Sequence, residues 1–261
     1  MKIRFYKYQG AGNDFVLIDN RDGIFPINNS VIAKLCDRNF GIGGDGLILL
    51  ENDSESDFRM VYFNSDGNES TMCGNGGRCI VRFAHDLNVV SDKMTFNAID
   101  GLHHAIVDGD TIRLQMIDVK EVEDHDKYLY MNTGSPHHVE FVDNVKNVDV
   151  FTRGKKIRNG APYYQTGTNV NFVEILPNQT LKIRTYERGV EDETLACGTG
   201  ITAAAIASYI RGAVKDSTVY VEALGGKLSV NFDEKNNTFE NVWLNGPAVC
   251  VFEGEIEINN D

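Results

Sequence analysis

Short apolar runs separated by polar and glycine-rich turns dominate the first third of the chain. Runs of about four to eight residues with such flanks predict β-strands. Between the second and third run, Ser30 is placed to cap a helix that ends near Asp37. The strands predicted here are Met1–Tyr8, Phe15–Asp19, Gly46–Leu50 and Phe58–Phe63.

Two longer helices are predicted, and their apolar patterns differ. The first extends from near Gly74 to Asn88, and its apolar residues recur on one face as Cys79, Ile80, Phe83 and Leu87. The second follows Cys197 and is apolar almost all round, from Ile201 to Ile210. A helix without a polar face must be buried on all sides. We therefore expect a β-sheet wrapped around a central helix.

The second half of the chain repeats this plan and gives a two-domain prediction. An acidic stretch from Asp118 to Lys127 is the best candidate boundary, and Val249–Phe252 is expected to return to the first domain. The predicted domains are residues 1–117 with about 248–261, and residues 118–247. The further predicted elements are a hairpin over Ala105–Met116 and strands at His138–Val142, Val170–Ile175, Leu181–Tyr186, Val219–Ala223, Leu228–Phe232 and Val242–Leu244.

Two stretches of the chain, residues 62–76 and 186–200, resemble each other at a constant separation. Cys197 follows Cys73 by 124 positions (197 − 73), and Gly200 follows Gly76 by the same number (200 − 76). Because the separation between matching residues stays constant over half the chain, the two halves are expected to be duplicates of each other. The fold class predicted is therefore α+β, with two pseudo-symmetric domains of mostly antiparallel, curled sheet around a central helix and an active site in the cleft between them.

Composition narrows the class of partner. The net charge of −13 and the isoelectric point near 4.9 disfavour nucleic acid and anionic membrane surfaces as partners, but they suit a small zwitterion. No apolar run approaches the roughly 20 residues of a membrane-spanning helix. The N-terminal residues lack the apolar core of a signal peptide. We therefore expect a cytoplasmic protein.

The five cysteines fall into two groups. An odd number without a secretory signal argues against a disulfide framework, and the absence of a Cys-x-x-Cys pair argues against a metal site. Cys36, Cys79 and Cys250 lie in apolar segments and are predicted to be small buried hydrophobes. Only Cys73 and Cys197 begin glycine turns that lead into a helix.

A cysteine at the start of a helix is chemically activated. Unpaired backbone N–H groups and the helix dipole favour its thiolate, and the same N–H groups can bind a carboxylate. If two such turns bound the carboxylate of one ligand, the α-carbon of that ligand would lie between Cys73 and Cys197. One thiolate would remove the α-proton and the other thiol would return a proton to the opposite face. Configuration would invert without a cofactor, with the sulfurs roughly 6–7 Å apart.

The chain contains a series of glycine- and asparagine-rich motifs, which are Gly10–Phe15, Gly41–Gly46, Asn64–Gly67, Met72–Arg78, Thr168–Phe172, Glu187–Gly189 and Ala196–Gly200. These motifs resemble those of the diaminopimelate epimerase family. That resemblance implies a cytoplasmic enzyme, independent of pyridoxal phosphate and usually homodimeric, that interconverts LL- and meso-diaminopimelate for lysine and cell-wall synthesis. It also implies two similar domains, each a sheet curled around a helix.

The resemblance assigns roles residue by residue. Cys73 and Cys197 would be the acid/base pair, and His137 and Glu187 would tune their pKa values. The residues that would donate to the reacting carboxylate are Gly74, Asn75, Gly198 and Thr199. Those that would hold the ammonium groups and the distal carboxylate are Asn13, Asn64, Asn169, Glu187 and Arg188.

Some positions depart from the family pattern. Ser135 stands where the family often has Asn, and Gly46 where some members have Gln.

Asn171 is interpreted as a turn residue. For His137, the alternative is a surface or core histidine without a chemical role. No metal and no cofactor are expected.

Two other functions remain open from the residues. A proline racemase or hydroxyproline epimerase also uses two cysteines for proton transfer, but it has Cys-Gly-His where this chain has Cys73-Gly74-Asn75. A non-catalytic amino-acid-binding module, with redox control of the same cysteine pair, is the other alternative.

Overall fold

The computed structural model describes residues 1–258 and divides into two compact units. One unit comprises Met1–Leu114 with the C-terminal segment that begins at Pro247, and the other comprises Gln115–Gly246. Residues 259–261, which were assigned to the N-terminal domain, lie outside the described residues. Strands dominate both units, and four α-helices occur within residues 1–258. The predicted α+β class is confirmed.

The first unit contains two helices and eight strands. Its helices are α1 (Asn29–Cys36) and α2 (Gly74–Asp86). Its strands are β1 (Lys2–Gly10), β2 (Asn13–Asp19), β3 (Gly46–Glu51), β4 (Phe58–Asn64), β5 (Lys93–Ala98), β6 (Gly101–Asp108), β7 (Thr111–Gln115) and, near the C-terminus, β17 (Val249–Glu257). Strand β1 pairs antiparallel with β2 and β17, whereas β2–β3 and β4–β5 are parallel pairs. Strand β17, which contains the last apolar run, thus pairs with the first strand of the chain.

The second unit, like the first, consists of strands interrupted by two α-helices. Its helices are α3 (Val150–Asn159) and α4 (Gly198–Ile210), with a 3-10 turn at Val145–Asn147. Its strands are β8 (Val122–Asp124), β9 (Tyr128–Asn132), β10 (Pro136–Phe141), β11 (Asn169–Ile175), β12 (Leu181–Glu187), β13 (Asp192–Thr194), β14 (Thr218–Ala223), β15 (Gly226–Lys235) and β16 (Thr238–Pro247). The parallel pairs are β10–β11 and β12–β14, and the remaining pairs are antiparallel.

Helices α2 and α4 occupy corresponding places in the two units. Both have 13 residues, and α4 begins and ends 124 positions after α2 (198 − 74 and 210 − 86). Helix α4 packs against β9, β10, β11, β12, β14 and β15, and its residues from Gly200 to Ser208 are all buried. Small alanine side chains let the strands approach from every side. The predicted buried central helix is confirmed.

Helix α2 is buried more completely than its pattern predicted. All residues from Gly74 to Val81 are buried, not only one face. The predicted apolar face is buried at Cys79, Ile80 and Phe83, and burial extends beyond it because small glycines allow close packing on faces that look polar or neutral in sequence. Leu87 follows the last helical residue and is only partly buried.

Two further points need correction. The N-cap of α1 is Asn28 and not Ser30, because the Asn28 side chain accepts hydrogen bonds from the N–H groups of Ser30 and Val31. Helix α3 was missed, since only Val150 and Gly154 are buried in it; its one local signal is the N-cap Asp149.

The cysteine predictions hold for two of three residues. Cys36 and Cys79 are buried as predicted, and burial raises the pKa of both thiols, to about 12 for Cys36. Cys250 is exposed, so its prediction as a buried hydrophobe is wrong. The apolar run around it belongs to β17, whose residues from Val249 to Phe252 are exposed on both faces of the strand. No helix within residues 1–258 is both long and apolar enough to cross a membrane.

Replacement of Gly154 by alanine tests the packing of α3 on β12. A Cβ atom at position 154 would lie 2.3 Å from the Cβ of Tyr186, so we expect Gly154→Ala to lower the free energy of unfolding by about 1–3 kcal/mol in urea titrations. Alanine elsewhere in a helix is favourable relative to glycine. The control is Lys156→Ala at an exposed position of the same helix, expected to stay within about 0.5 kcal/mol. A stabilised Gly154→Ala protein would contradict this packing.

Candidate active site

The first cysteine of interest is the N-cap of α2. Cys73 has an extended backbone (φ −104°, ψ 145°), and its Sγ accepts a hydrogen bond from the N–H of Gly76 at 3.2 Å. A sulfur atom here takes the place of the oxygen that normally caps a helix. Cys73 is half-buried. The helix N-terminus beside this sulfur favours a negative charge on it.

Asn13 and Asn75 lie beside Cys73. The Oδ1 of Asn13 accepts from the Nδ2 of Asn75 at 3.3 Å and lies 3.9 Å from the Cys73 Sγ. The Nδ2 of Asn13 donates to Asp45 at 2.5 Å. The structure thus brings three of the predicted site residues into one hydrogen-bonded group, and it adds Asp45.

Asp45 belongs to a network of charged side chains that sequence reasoning missed. Arg38 contacts both Asp45 (2.7 Å) and Asp14 (2.6 Å), and Lys7 pairs with Asp14 at 2.6 Å. Burial alone would raise the pKa of Asp14, but the hydrogen bonds from Arg38 and Lys7 outweigh it and bring the pKa to about 2. The Asp14 carboxylate therefore stays ionised, and the neighbouring Asp45 accepts from the Asn13 amide. Within the Gly41–Gly46 motif, Asp45 is the side chain that could have indicated this role.

Asn64 and Gly46 lie at the same end of the sheet as the start of β2. The register aligns Phe15 with Gly46 and Gly46 with Asn64 across β2, β3 and β4. Asn64 is exposed, and its Oδ1 accepts from the Tyr62 hydroxyl at 2.9 Å. A Cβ at position 46 would lie 2.4 Å from the carbonyl oxygen of Phe63, which explains the glycine there.

Arg78 is a buried guanidinium that the sequence did not single out. It is 0% exposed, and it donates to the carbonyl oxygen of Gly74 at 3.1 Å and to the Oδ1 of Asn75 at 2.8 Å. Burial lowers its pKa, whereas the nearby sulfurs of Cys79 and Cys73 act in the opposite direction. A guanidinium can only donate hydrogen bonds. The amide oxygen of Asn75 must therefore face Arg78, and its nitrogen must face Asn13.

The second cysteine, Cys197, is the N-cap of α4. Its backbone is again extended (φ −113°, ψ 110°), and the residue is almost fully buried. The Cys197 Sγ lies 3.4 Å from the Oγ1 of Thr199. The backbone carbonyl of Thr199 accepts from the Thr133 hydroxyl at 2.8 Å. The two units therefore place a sulfur at corresponding helix starts but surround it with different side chains.

His137 lies behind Thr199 and is fully buried. Its Nε2 is 2.8 Å from the Thr199 Oγ1, and its Nδ1 is 3.1 Å from the Nδ2 of Asn171. Burial, and then the positive charge of Arg188, lower the pKa of His137 to about 3. The imidazole is therefore neutral at physiological pH. His137 is therefore not a surface histidine. Its link to Cys197 is indirect and passes through the Thr199 hydroxyl.

Asn171 is not a turn residue, so that interpretation is wrong. It lies within β11 and is fully buried. Its Nδ2 donates to the carbonyl oxygen of His138 at 3.1 Å, and its Oδ1 accepts from Thr185 at 3.0 Å. A buried amide is stable in a strand only when its polar atoms are paired, and all of these are.

Asn169 joins the start of β11 to two loops. Its Nδ2 donates to the Ser135 hydroxyl at 2.9 Å and to the carbonyl oxygen of Pro136, and its Oδ1 accepts from the N–H of Arg188 at 2.8 Å. Ser135, a departure from the family pattern, therefore contacts a predicted substrate-binding residue. Asn169, Ser135 and Arg188 form one cluster.

Glu187 and Arg188 bring opposite charges to the end of β12. The Oε2 of Glu187 accepts from the Thr194 hydroxyl at 2.8 Å, and Arg188 is exposed with its Nη1 donating to the carbonyl oxygen of Thr166 at 3.0 Å. A carboxylate and a guanidinium side by side suit a zwitterionic ligand. In residues 1–258 no group of three or more His, Cys, Asp or Glu side chains could hold a metal ion.

Solved structures with the same fold define the class of protein. A phenazine biosynthesis protein of the PhzF family from Bacillus anthracis aligns with a TM-score of 0.75 and 15% identity, covering 99% of this chain and 100% of that one. A hydroxyproline epimerase from Agrobacterium vitis aligns with a TM-score of 0.70 and 13% identity, covering 98% and 92%. At these identities the likeness concerns the fold alone, which is the two-domain α+β fold of these proteins.

Sequence relatives identify the family. The family model for diaminopimelate epimerase matches residues 5–120 and 129–251. A diaminopimelate epimerase of Flavobacterium psychrophilum is 58% identical over 256 residues, covering 97% of this chain and all of the relative. One of Chlorobaculum tepidum is 44% identical, covering 95% and 99%. The chain belongs to the diaminopimelate epimerase family, and the predicted resemblance is confirmed.

The two buried histidines predict a specific pH dependence of stability. Burial lowers the pKa of His137 to about 3 and, with the charge of His125, that of His138 to about 4, below the ordinary value of about 6.5. Below pH 6.5 the unfolded chain takes up protons that the folded chain does not, so stability falls as pH falls. We expect a loss of roughly 1–2 kcal/mol per histidine between pH 7 and 5, above the range where carboxylates titrate.

Urea titrations at a series of pH values measure this slope. The control carries both His137→Asn and His138→Asn and should lose most of the slope in this window. An equally steep slope in the double variant would show that other groups cause it.

Proposed function

We propose that the protein interconverts LL- and meso-2,6-diaminopimelate by inverting one α-carbon, a step in lysine and peptidoglycan precursor synthesis. One observation carries the proposal: a chain that matches relatives named diaminopimelate epimerase along nearly their whole length has a cysteine at the N-cap of each central helix. The two units are proposed as the domains of this enzyme.

Cys73 and Cys197 form the proposed acid/base pair. The thiolate of one takes the α-proton and becomes a thiol, leaving a carbanion next to the carboxylate. The thiol of the other gives its proton to the opposite face and becomes the thiolate. The net change is inversion at carbon, with one thiol and one thiolate before and after. The chemistry needs no cofactor, but it needs both sulfurs on opposite sides of one carbon.

Backbone N–H groups at both helix starts are proposed to bind the reacting carboxylate. The helix dipoles and the N–H groups at the helix starts stabilise the negative charge that grows as the α-proton leaves. The residues that supply these groups are Gly74, Asn75, Gly198 and Thr199. Because such donors are fixed by the helix, no reorganisation is needed when the charge develops.

A second set of side chains is proposed to hold the other end of the substrate. Arg188 would bind the distal carboxylate and Glu187 an ammonium group, while Asn13, Asn64 and Asn169 would orient both by hydrogen bonds. The Arg188–Asn169 contact at 2.8 Å supports this grouping. Glu187 and His137 would also tune the pKa values of the cysteines.

A proline or hydroxyproline racemase is the second candidate, because a hydroxyproline epimerase has the same fold. The paired charges of Glu187 and Arg188 favour a substrate with a second charged end over a small ring. A binding module without catalysis would not require a cysteine at the N-cap position of both central helices.

Single replacement of either proposed acid/base residue tests the function. In heavy water with LL-diaminopimelate, the native enzyme should place deuterium at the inverted α-carbon. We expect Cys73→Ala and Cys197→Ala each to lower kcat by about 10²–10⁴-fold. The control is Cys250→Ala at an exposed cysteine. Native protein that exchanges no α-proton, or that turns over proline instead, would refute the proposal.

A homodimer in the cytoplasm is part of the same proposal. Free thiols in both catalytic positions require a reducing compartment. Strand β17 presents apolar side chains to solvent, with Val249, Val251 and Phe252 exposed by 48%, 56% and 47%. An exposed apolar strand of this kind is normally covered, and a second copy of β17 provides a self-complementary cover.

Charge placed on β17 tests the dimer. We expect Val251→Lys to shift the native dimer to a monomer in sedimentation equilibrium, because two copies would place like charges at the shared surface. The control is Tyr220→Lys, at a residue of β14 that is 61% exposed. A native protein that is monomeric at micromolar concentration, or a Val251→Lys protein that stays dimeric, would exclude this interface.

A further inference from the structure

We infer that Asn171 is a positioning residue for catalysis: it fixes the tautomer of His137, which makes the Thr199 hydroxyl a hydrogen-bond donor to the sulfur of Cys197. The inference rests on the proposed function, because it concerns one of the two proposed acid/base groups. It follows from three contacts, each of which fixes the direction of the next hydrogen bond.

The first step is the orientation of the Asn171 amide. Its Nδ2 lies 3.1 Å from the carbonyl oxygen of His138, which can only accept, so a flipped amide would place two oxygens in contact. Its Oδ1 accepts from the Thr185 hydroxyl at 3.0 Å. A Cβ at position 200 would lie 2.4 Å from that Oδ1. Gly200 therefore provides the space that the amide needs beside α4.

The second step is the position of the proton on His137. The amide nitrogen of Asn171 has a second hydrogen, and the Nδ1 of His137 lies 3.1 Å away. A donor at that distance requires Nδ1 to be an acceptor, which carries no proton. A neutral imidazole has one N–H, so the proton is on Nε2. The low pKa of this fully buried ring agrees with a neutral state.

The third step is the direction of the Thr199 hydroxyl. The Nε2–H of His137 donates to its Oγ1 at 2.8 Å. The hydroxyl hydrogen is then free to point to the Cys197 Sγ at 3.4 Å. A hydrogen bond donated to sulfur stabilises the thiolate relative to the thiol. Asn171 thus acts on Cys197 through two intermediate side chains.

Other titratable groups lie on the elements packed against α4. On β10, His138 bonds Tyr163 through its Nδ1 at 2.9 Å. The remaining groups are Tyr128 and Tyr130 of β9, Glu140 of β10, Glu174 of β11, Lys182, Arg184, Tyr186 and Glu187 of β12, Arg188 just after β12, Tyr220 and Glu222 of β14, and Lys227, Asp233, Glu234 and Lys235 of β15. Of these, the Arg188 charge acts on His137 and opposes its protonation.

Nitrogen-detected tautomer analysis combined with thiol alkylation tests the inference. Long-range ¹H–¹⁵N spectra of the native protein should show His137 as the Nε2–H tautomer at pH 7. Asn171→Leu, which has similar size but no polar atoms, should lose that single tautomer. Iodoacetamide should then modify Cys197 about tenfold more slowly at neutral pH, with the midpoint of its pH profile moved upward. Cys73 in the same sample is the internal control, and its rate should not change.

A second variant separates this relay from a general disturbance of the fold. Thr199→Val keeps Asn171 and should retain the Nε2–H tautomer, yet it should slow the alkylation of Cys197 as Asn171→Leu does. The inference is overturned by a native Nδ1–H tautomer or imidazolium, or by an unchanged Cys197 to Cys73 ratio in both variants. These readouts do not require turnover, so a failure of the proposed epimerase activity in the deuterium experiment would be recognised independently.

Discussion

Each unit is organised around a buried helix, and the first N–H groups of that helix have no partner within the helix. Burial makes unpaired N–H groups expensive, so an acceptor is needed where α2 and α4 begin. At α2 the sulfur of Cys73 supplies it, with Gly76 as donor. The requirement that stabilises the helix therefore also fixes the sulfur and favours its charged form. Folding and reactivity depend on the same contact, so the position of the sulfur is as rigid as the core.

The side chains that surround the cysteine sulfur differ between the start of α2 and the start of α4. Cys73 has a buried guanidinium nearby, Arg78, which gives its surroundings a positive charge. Cys197 has an uncharged imidazole, His137, that acts through the hydroxyl of Thr199. A full charge acts over distance and favours any anion nearby, whereas a directed hydroxyl acts on one atom. Two thiols with different electrostatic surroundings suit a reaction in which one must be charged while the other is not.

Local sequence pattern predicted most of the strands but not β5, β8, β9 and β13. It also predicted the two central helices and the two cysteines at their starts, because periodicity and glycine turns are local signals. It missed what depends on distant partners. Arg78 and Asn171 look like ordinary polar residues, and only the fold shows that they are buried and paired. Cys250 looks like core because its neighbours are apolar, yet its strand is exposed. Helix α3 was missed because its sequence is mostly polar, and the Asp149 cap was its only signal.

Amide side chains present a particular problem for an active site, since their oxygen and nitrogen ends have nearly the same shape and can exchange places. In both units the amides contact neighbours that can only donate or only accept a hydrogen bond. Arg78 only donates and Asp45 only accepts, so Asn75 and Asn13 between them can take one orientation. In the other unit a backbone carbonyl does the same for Asn171. Because these neighbours are held by the fold, the orientation of these three amides is set by the protein itself, and donors and acceptors fixed in this way are the condition for electrostatic preorganisation.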